Sequence, residues 1–585
     1  MLAKILIAAT LVVFPFAHVS DSPREGQFAA RSRCSATYAA EGNQLPQKLT
    51  PVGVARLRAL LELPDSSDEQ APTSDMFGSE VQEFYACLGY SLPWISDGKP
   101  TVQALRIVEA LKHADEKGLN PRDYDGTLWA ARLAAISNSN DSSEDAEITF
   151  DLDLTVSIMR FLSNLHIGRV NPQSLQFDLS TDGKSLDLPE FIQRELINAS
   201  DTDAAIESVE PQFLAYRRTL QALHRYLEFA QSDSGELLPP PSNPFHVGDT
   251  YVGLARLVTI LQTLGDLHAV DTKPRTAYDA AISAAVKRFQ RRHGLDPSGL
   301  LDARTLIQLN TPLDHRVLQL QLALERWRWL PQNFSRPPII VNIPEFRLYA
   351  VNEYHHVVFS MNIVVGRAYR HETPVFTSEI RSVIFRPSWN VPLTIQRHEI
   401  VPQMRKNPDY LTENSYDVVD SHGRPVENAE DSPALKNKLR SGEWWLQQEP
   451  GPDNSLGLVK FDLPTTHDVY LHGTPAQELF ARSRRDFSHG CIRVEDPAAL
   501  AAWVLRDDPR WTSENIQSAM SAGETSRVNL NQPVPIWILY GTAVVHEDGQ
   551  VFFFEDIYGH DAALERALEK RNVSPAPPNS TSKLK

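Results

Sequence analysis

The sequence predicts a multi-domain α+β protein, on three observations. Its 585 residues exceed what a single hydrophobic core supports and imply about two to four domains. Up to Leu330 the chain reads as a succession of amphipathic helices, whereas from Ile339 onward short β-branched runs are bounded by Gly, Pro and Asn. The composition, 42% hydrophobic and 22% charged, is that of folded soluble protein.

Met1–Ser20 carries Lys4, an apolar run from Ile5 to Phe16 and small polar residues around Ser20 and Ser22. The run is shorter than the roughly 20 residues of a membrane span, so residues 1–22 are expected to be a secretory signal peptide or, failing cleavage, an N-terminal membrane anchor. Residues 23–80, with the Pro64-Asp65-Ser66-Ser67-Asp68 cluster, are expected as a flexible lead-in, with order beginning at Val81. Helices are then expected from Glu83 through Trp94 and over Ala104–Ala114, the second stopped by Gly118-Leu119-Asn120-Pro121. Asp151–Leu165 follows, closed by Gly168-Arg169-Val170-Asn171-Pro172, and helical pattern continues from Pro189 to Ala230. These segments form a helical domain over residues 81–236.

Leu237–Pro244 contains four prolines, a stiff linker. Residues 245–312 then read as a small three-helix unit: Tyr251–Leu264, Tyr278–His293, and Asp302–Leu309 with Asp302 as N-cap. His315–Leu330 is a further helix that returns to the helical domain, which therefore takes in residues 313–335; Trp327 and Trp329 are assigned to packing. Residues 336–571 form the β-rich domain, with strands expected at Ile339–Ile343, Phe346–Val351, His356–Val365, Ser382–Pro387 and Pro535–Val545. A segment of helical and turn pattern, residues 394–456, interrupts these strands, and an insertion of that length favours a functional role. Residues 572–585 are polar and proline-rich and are expected to be disordered.

The net charge of −17, with no long basic tract, argues against nucleic acid or an anionic membrane surface as the main partner. Of three cysteines, Cys34 and Cys87 either pair with each other, leaving Cys491 free, or all three are isolated small hydrophobes.

Chemistry concentrates in Tyr470–Val494. His472 lies nineteen positions before Cys491 and His489 two before it, so one folded loop brings imidazoles to a sulfur. An imidazole activates a thiol whose free pKa, about 8.5, makes it a weak nucleophile at neutral pH. Cys491 is the candidate nucleophile and His472 the candidate base. His489 competes for the base role, since residues two apart in extended chain share a side, but is ranked second, as a hydrogen-bonding residue that shapes the turn. The backbone N–H groups of Gly490 and Cys491 are candidate oxyanion donors, with Ser488 in the same turn. Arg493 offers a guanidinium for a substrate carboxylate or, equally, a loop-holding salt bridge. Arg484 and Arg485 are expected as surface charges. A zinc site built on His472, His489 and Cys491 is an alternative that no HxxxH, HxH or CxxC pattern reinforces, so no metal or cofactor is expected.

His472-Gly473-Thr474 and Ser488-His489-Gly490-Cys491-Ile492-Arg493-Val494 together resemble the signature of the L,D-transpeptidase (YkuD-type) catalytic domain. The helical domain is similar to the N-terminal scaffold of the long periplasmic members, and AVKRFQRRHGLDPSGLLDARTLIQLN, with Val286, Phe289 and Gln290, is similar to the three-helix peptidoglycan-binding module. The resemblance implies a periplasmic enzyme in which Cys491 attacks a peptidoglycan tetrapeptide stem, releases D-alanine and passes the acyl group to a second stem in a 3→3 cross-link. It implies that the carbonyl of Gly473 orients His472, that residues 394–456 cap the site, with Trp444 and Trp445 as lid core or wall, and that Tyr470, Trp389 and Asn454 line the cleft; each of these three is equally readable as packing or a turn. A hydrolase that passes the acyl group to water, and a non-catalytic wall-binding scaffold, are the rival readings.

Overall fold

The C-terminal domain is a sheet closed on itself. The structure, a computed structural model, describes residues 46–62, 77–137, 143–181, 183–241, 246–268, 276–332, 336–354, 356–368, 371–427 and 429–570. The expected signal segment, Cys34 and the C-terminal tail lie outside the described residues. Strands β1 (Ile339–Asn342), β2 (Arg347–Val351), β3 (Val357–Gly366), β4 (Phe376–Phe385), β5 (Val459–Asp462), β6 (Leu471–His472), β7 (Asp486–Ser488), β8 (Ile492–Val494) and β9 (Ser526–Leu539) form one sheet. Its order is β7-β3-β8-β6-β5-β4-β9-β1-β2, and β2 pairs back with β3, closing a barrel. Closure removes the free edges that an open sheet would present. Alternation sorts the side chains: Val341, Leu348, Ile363, Ile380, Val459, Phe461, Leu471, Ile492, Val494 and Ile536 belong to the barrel core.

Helix ends follow their caps. The Glu144–Ile167 helix begins seven residues before the expected Asp151, because Ser143 accepts from Ala146 N–H and acidic Glu144, Asp145 and Glu147 fill its first turn. The helix expected through Trp94 ends at Cys87, since Gly89 and Tyr90 both take positive φ, +61° and +60°. The Pro189–Ala230 pattern is broken, with a new helix capped by Asp201 and, past Pro211, a long one over Leu214–Ser232. The lead-in expectation is corrected over Pro51–Leu61, which is a helix. Thr50 caps it and Pro51 starts it, Leu57 is buried, and the Glu144 carboxylate holds the Thr50 hydroxyl and N–H. Inside the helical domain Asp151 is fully buried, accepting from the Tyr85 hydroxyl at 2.7 Å and the Trp94 N–H at 2.8 Å. Burial pushes its carboxyl up to about 8 despite both bonds.

The three-helix unit spans Leu254–Thr263, Ala280–Arg292 and Ala303–Leu309, the last capped by Asp302. Val286 and Phe289 sit in its core, and buried Gln290 accepts from Gly299 N–H and donates to the Leu300 carbonyl. The following helix, Leu313–Trp329, packs along Leu214–Ser232, so the unit is inserted between two partners of one helical pair. Asn310 clips the base of the insertion, its amide accepting from Leu238 N–H at 2.8 Å and donating to the Leu238 carbonyl at 3.0 Å. Arg292, paired with Asp266 in the unit, also donates to the Val551 carbonyl of the barrel domain at 2.5 Å. Trp329 is buried against Phe177, and Trp327 tilts onto Phe213.

The insertion between β4 and β5 begins slightly before residue 394. Trp389–Asn390 is already a strand of its sheet, paired with Trp445–Gln448, which also pairs with Tyr416–Val419. It has a core of its own, with Val391, Val401, Met404, Leu435, Leu439 and Leu446, against which Trp444 packs.

Candidate active site

Strand register sets out the site. β6 and β8 run parallel with Leu471 opposite Ile492 and His472 opposite Arg493, while antiparallel β5 places Lys460 opposite His472. Because Leu471, Ile492, Val459 and Phe461 point into the core, their neighbours Tyr470, His472, Cys491, Arg493 and Lys460 share the outer face of the barrel wall. Cys491 therefore stands beside Tyr470 and diagonal to His472, with Arg493 and Lys460 on either side of the imidazole. Cys491 is a free, half-buried thiol, and Cys87 is disulfide-bonded.

The turn before Cys491 is braced from within. Gly490 takes φ +112°, where glycine is favoured. The Ser488 hydroxyl donates to the Cys491 carbonyl at 2.5 Å and accepts from Gly490 N–H at 3.2 Å. Gly490 N–H was an expected oxyanion donor; it is instead engaged inside the turn. Behind the turn, Thr373 Oγ1 donates to the Gly490 carbonyl and accepts from Gly366 N–H, both at 2.8 Å. The Tyr558 hydroxyl donates to the Gly366 carbonyl at 2.5 Å and accepts from Thr373 N–H at 3.2 Å. A Cβ on Gly366 would lie 1.8 Å from the His371 carbonyl, so only glycine fits.

His472 is 5% exposed, and its Nδ1 donates to the Gly473 carbonyl at 2.6 Å, which assigns a proton to Nδ1; the Leu456 backbone is a second hydrogen-bond partner of the ring. Burial, then the nearby Arg493 charge, push the imidazole down to about 3, so it is neutral at ordinary pH. Burial raises the Cys491 thiol, against which Tyr470, Lys460 and Arg493 act to lower it. The resting pair is thus a thiol beside a neutral imidazole, and a thiolate forms only as a proton moves to the ring. The Tyr470 hydroxyl, held well above its usual range by burial, hydrogen-bonds with Cys491 and with the Trp389 side chain of the insertion.

His489 points elsewhere. Its Nε2 meets Glu399 of the insertion at 2.5 Å, and its ring packs edgewise on His371 at 4.8 Å between centroids. That corrects its candidacy as base: the contact joins the Ser488–Cys491 turn to the insertion. Asn454 is buried, with its amide donating to the Gln448 and Glu449 carbonyls and accepting from Leu456 N–H, so it closes a turn and lines no cleft. Arg485 is buried rather than at the surface, donating to the Ile363, Arg482 and Phe346 carbonyls. Arg484 pairs with Asp486. Among the described residues Arg493 makes no ion pair, and its buried Nε lacks a partner. No three His, Cys, Asp or Glu among the described residues converge to hold a metal ion.

Lys460, Thr373, Tyr558 and Glu399 escape sequence reasoning. Lys460 alone left a signal, the alternating Val459-Lys460-Phe461-Asp462; Glu399 acts across ninety residues, and Thr373 and Tyr558 act through backbone atoms.

Residues 336–536 match the family profile of the L,D-transpeptidase catalytic domain, YkuD. Residues 79–223 match that of a scaffold domain, and residues 253–309 that of a putative peptidoglycan binding domain. A putative L,D-transpeptidase of Haemophilus influenzae is 31% identical over 253 residues, 43% of this chain and 49% of the relative. The alignment thus spans about half the length of that relative. Among solved structures, an L,D-transpeptidase (residues 123–326) from Xylanimonas cellulosilytica covers 52% of this chain and 100% of its own, at 16% identity and a TM-score of 0.17. One from Stackebrandtia nassauensis covers 52% and 97%, at 12% identity and a TM-score of 0.21. Both likenesses are too slight to bear on the site.

Proposed function

We propose, from the matches of residues 336–536 to the L,D-transpeptidase catalytic domain, of residues 79–223 to the scaffold domain and of residues 253–309 to the peptidoglycan binding domain, that the chain cross-links stem peptides 3→3 through a thioacyl enzyme. The observation that carries the reading is the pairing of β6 with β8, which sets a free thiol diagonal to an imidazole oriented through its Nδ1 by the Gly473 carbonyl.

Cys491 gives its proton to His472 Nε2 as the sulfur attacks the carbonyl carbon of the third, diaminopimelate-type residue. The developing oxyanion is met by Cys491 N–H, since Gly490 N–H is engaged with Ser488. The C–N bond breaks, His472 returns the proton to the departing nitrogen, and D-alanine leaves. The side-chain amine of a second stem then attacks the thioester, its proton passes to His472, and the C–S bond breaks to release the cross-link and restore the thiol. The insertion that contributes Trp389 and Glu399 lies over this face and shields the thioester from water. The reaction needs no metal or cofactor. Its substrate places the enzyme in the periplasm, a location supported by the Met1–Ser20 pattern and by the disulfide at Cys87.

The test is mass spectrometry of the full chain and of Cys491→Ala after incubation with disaccharide-tetrapeptide. The expected product is a cysteine-dependent dimer lacking one D-alanine. Tripeptide monomer alone assigns the site to hydrolysis, and an unchanged substrate with folded, reduced enzyme overturns the catalytic reading.

A further inference from the structure

A row of three side chains crosses the barrel wall, Lys460 on β5, His472 on β6 and Arg493 on β8, each opposite the next in register. Adjacent strands lie about 4.8 Å apart, so the base has a cation within one strand spacing on each side. Cations flanking a catalytic imidazole are unhelpful to it, since both disfavour the protonated ring that forms when the thiol is activated. Their placement calls for another purpose.

Arg493 is not consumed by the fold, and Lys460 is held only at its margin. Arg493 makes no ion pair among the described residues, its Nε is buried without a partner, and burial is the main influence lowering its guanidinium. The charge of Glu478 is felt at Arg493, though without a contact. Lys460 lies 4.0 Å over the Tyr470 ring and 3.8 Å from Asp462, whose carboxylate is also engaged by Arg527. A desolvated guanidinium with an unmet donor is costly unless an anion arrives to meet it.

The donor supplies one at the right distance. In a stem that ends one residue beyond the scissile bond, the terminal carboxylate carbon is separated from the reacting carbonyl carbon by only a nitrogen and one Cα. Arg493, two residues past the nucleophile on the same face, stands about 7 Å along the strand from Cys491, within reach of that carboxylate once the carbonyl meets the sulfur. We propose that Arg493 and Lys460 together bind the free C-terminal carboxylate of the donor stem, restricting the site to peptides with a single residue after the scissile bond. The inference rests on the thioacyl reading above and adds what selects the donor. A longer stem puts a neutral amide where the carboxylate belongs and leaves the Arg493 guanidinium unmet.

The experiment compares acylation of the full chain by a tetrapeptide donor and by the same peptide with a C-terminal carboxamide, reading kcat/KM from acyl-enzyme formation by mass spectrometry. The acid is expected to exceed the amide by on the order of 100-fold, the scale of a charge-assisted bidentate contact. Arg493→Gln and Lys460→Met are each expected to lower that ratio about 10-fold, mainly through KM for the acid. Alkylation of Cys491 by iodoacetamide verifies that each variant retains its site. Equal acylation of the unaltered protein by both donors overturns the inference without touching the thioester, as do variants that lose both rates in proportion, the mark of a merely structural role. Acylation by neither donor overturns the thioester reading, and this inference with it.

Discussion

Replacing Thr373 by valine removes one hydroxyl and almost nothing else. Thr373 is fully buried, and its Oγ1 both receives Gly366 N–H and donates to the Gly490 carbonyl. Valine fills the same space but satisfies neither group, and an orphaned buried polar group costs about 1–3 kcal/mol. Two such groups set a local penalty of about 2–4 kcal/mol, the lower end applying if the Gly490 carbonyl finds water. Each 1.4 kcal/mol is a factor of ten, so amide exchange at Gly366 should accelerate roughly 30- to 1,000-fold. Thr373→Ser keeps the hydroxyl and loses a methyl, about 1 kcal/mol, and should leave Gly366 protected to within about tenfold. Hydrogen exchange with fragmentation to single-residue resolution reads both variants directly. The account fails if valine and serine give the same protection at Gly366, for then the hydroxyl is not what holds the turn.

Three further outcomes follow from the geometry. Gly366→Ala forces a Cβ to 1.8 Å from the His371 carbonyl, so it should lower the melting temperature sharply and abolish Cys491 alkylation selectivity; a melting point within 2 °C, taken as roughly the shift of a mild substitution, contradicts the close approach. Asp266→Asn strips the buried Arg292 of its counter-ion at a cost of about 3–5 kcal/mol, and should speed proteolysis within residues 246–309; unchanged cleavage rates count against the ion pair as the unit's anchor. His472 sits at about 3 in the folded chain, below the ordinary imidazole value of about 6.5. The folded state therefore binds fewer protons, and this contribution to stability is whole above about pH 6.5 and drains away as pH falls toward 3. His472→Gln should flatten the stability profile in that window, and an unaltered slope would mean the ring is not depressed.

What sequence could and could not convey divides along the distance over which a residue acts. Asp302 announces its helix because capping is decided within four residues, and the barrel strands announce themselves by alternation. Cys491 and His472 are visible through a contiguous signature, although they meet by parallel strand pairing and not by a simple folded loop. Spacing alone makes His489 a neighbour of the sulfur, because extended residues two apart share a side. The positive φ of Gly490 breaks that rule and sends the ring toward Glu399, ninety residues upstream. The same turn spends Gly490 N–H on Ser488, which no spacing could reveal. Thr373 and Tyr558 act on backbone atoms of Gly366 and Gly490, and backbone partners leave no complementary side chain to notice. The helix at Pro51–Leu61 was obscured by its surroundings, since Ser, Asp and Pro clusters beside it dominate the local composition.

The Asn310 clip has a mechanical meaning. Where the polypeptide leaves the helical pair for the three-helix unit and where it comes back, Leu238 and Asn310 are tied by two hydrogen bonds. Tension applied to that unit by a polymer it holds would load both crossings in parallel at one point, and the two helices behind them, Leu214–Ser232 and Leu313–Trp329, would be pulled from the same end. Force on such a stapled side loop shares itself between two strands of chain, while the Arg292 bond to the Val551 carbonyl passes part of it to the barrel domain.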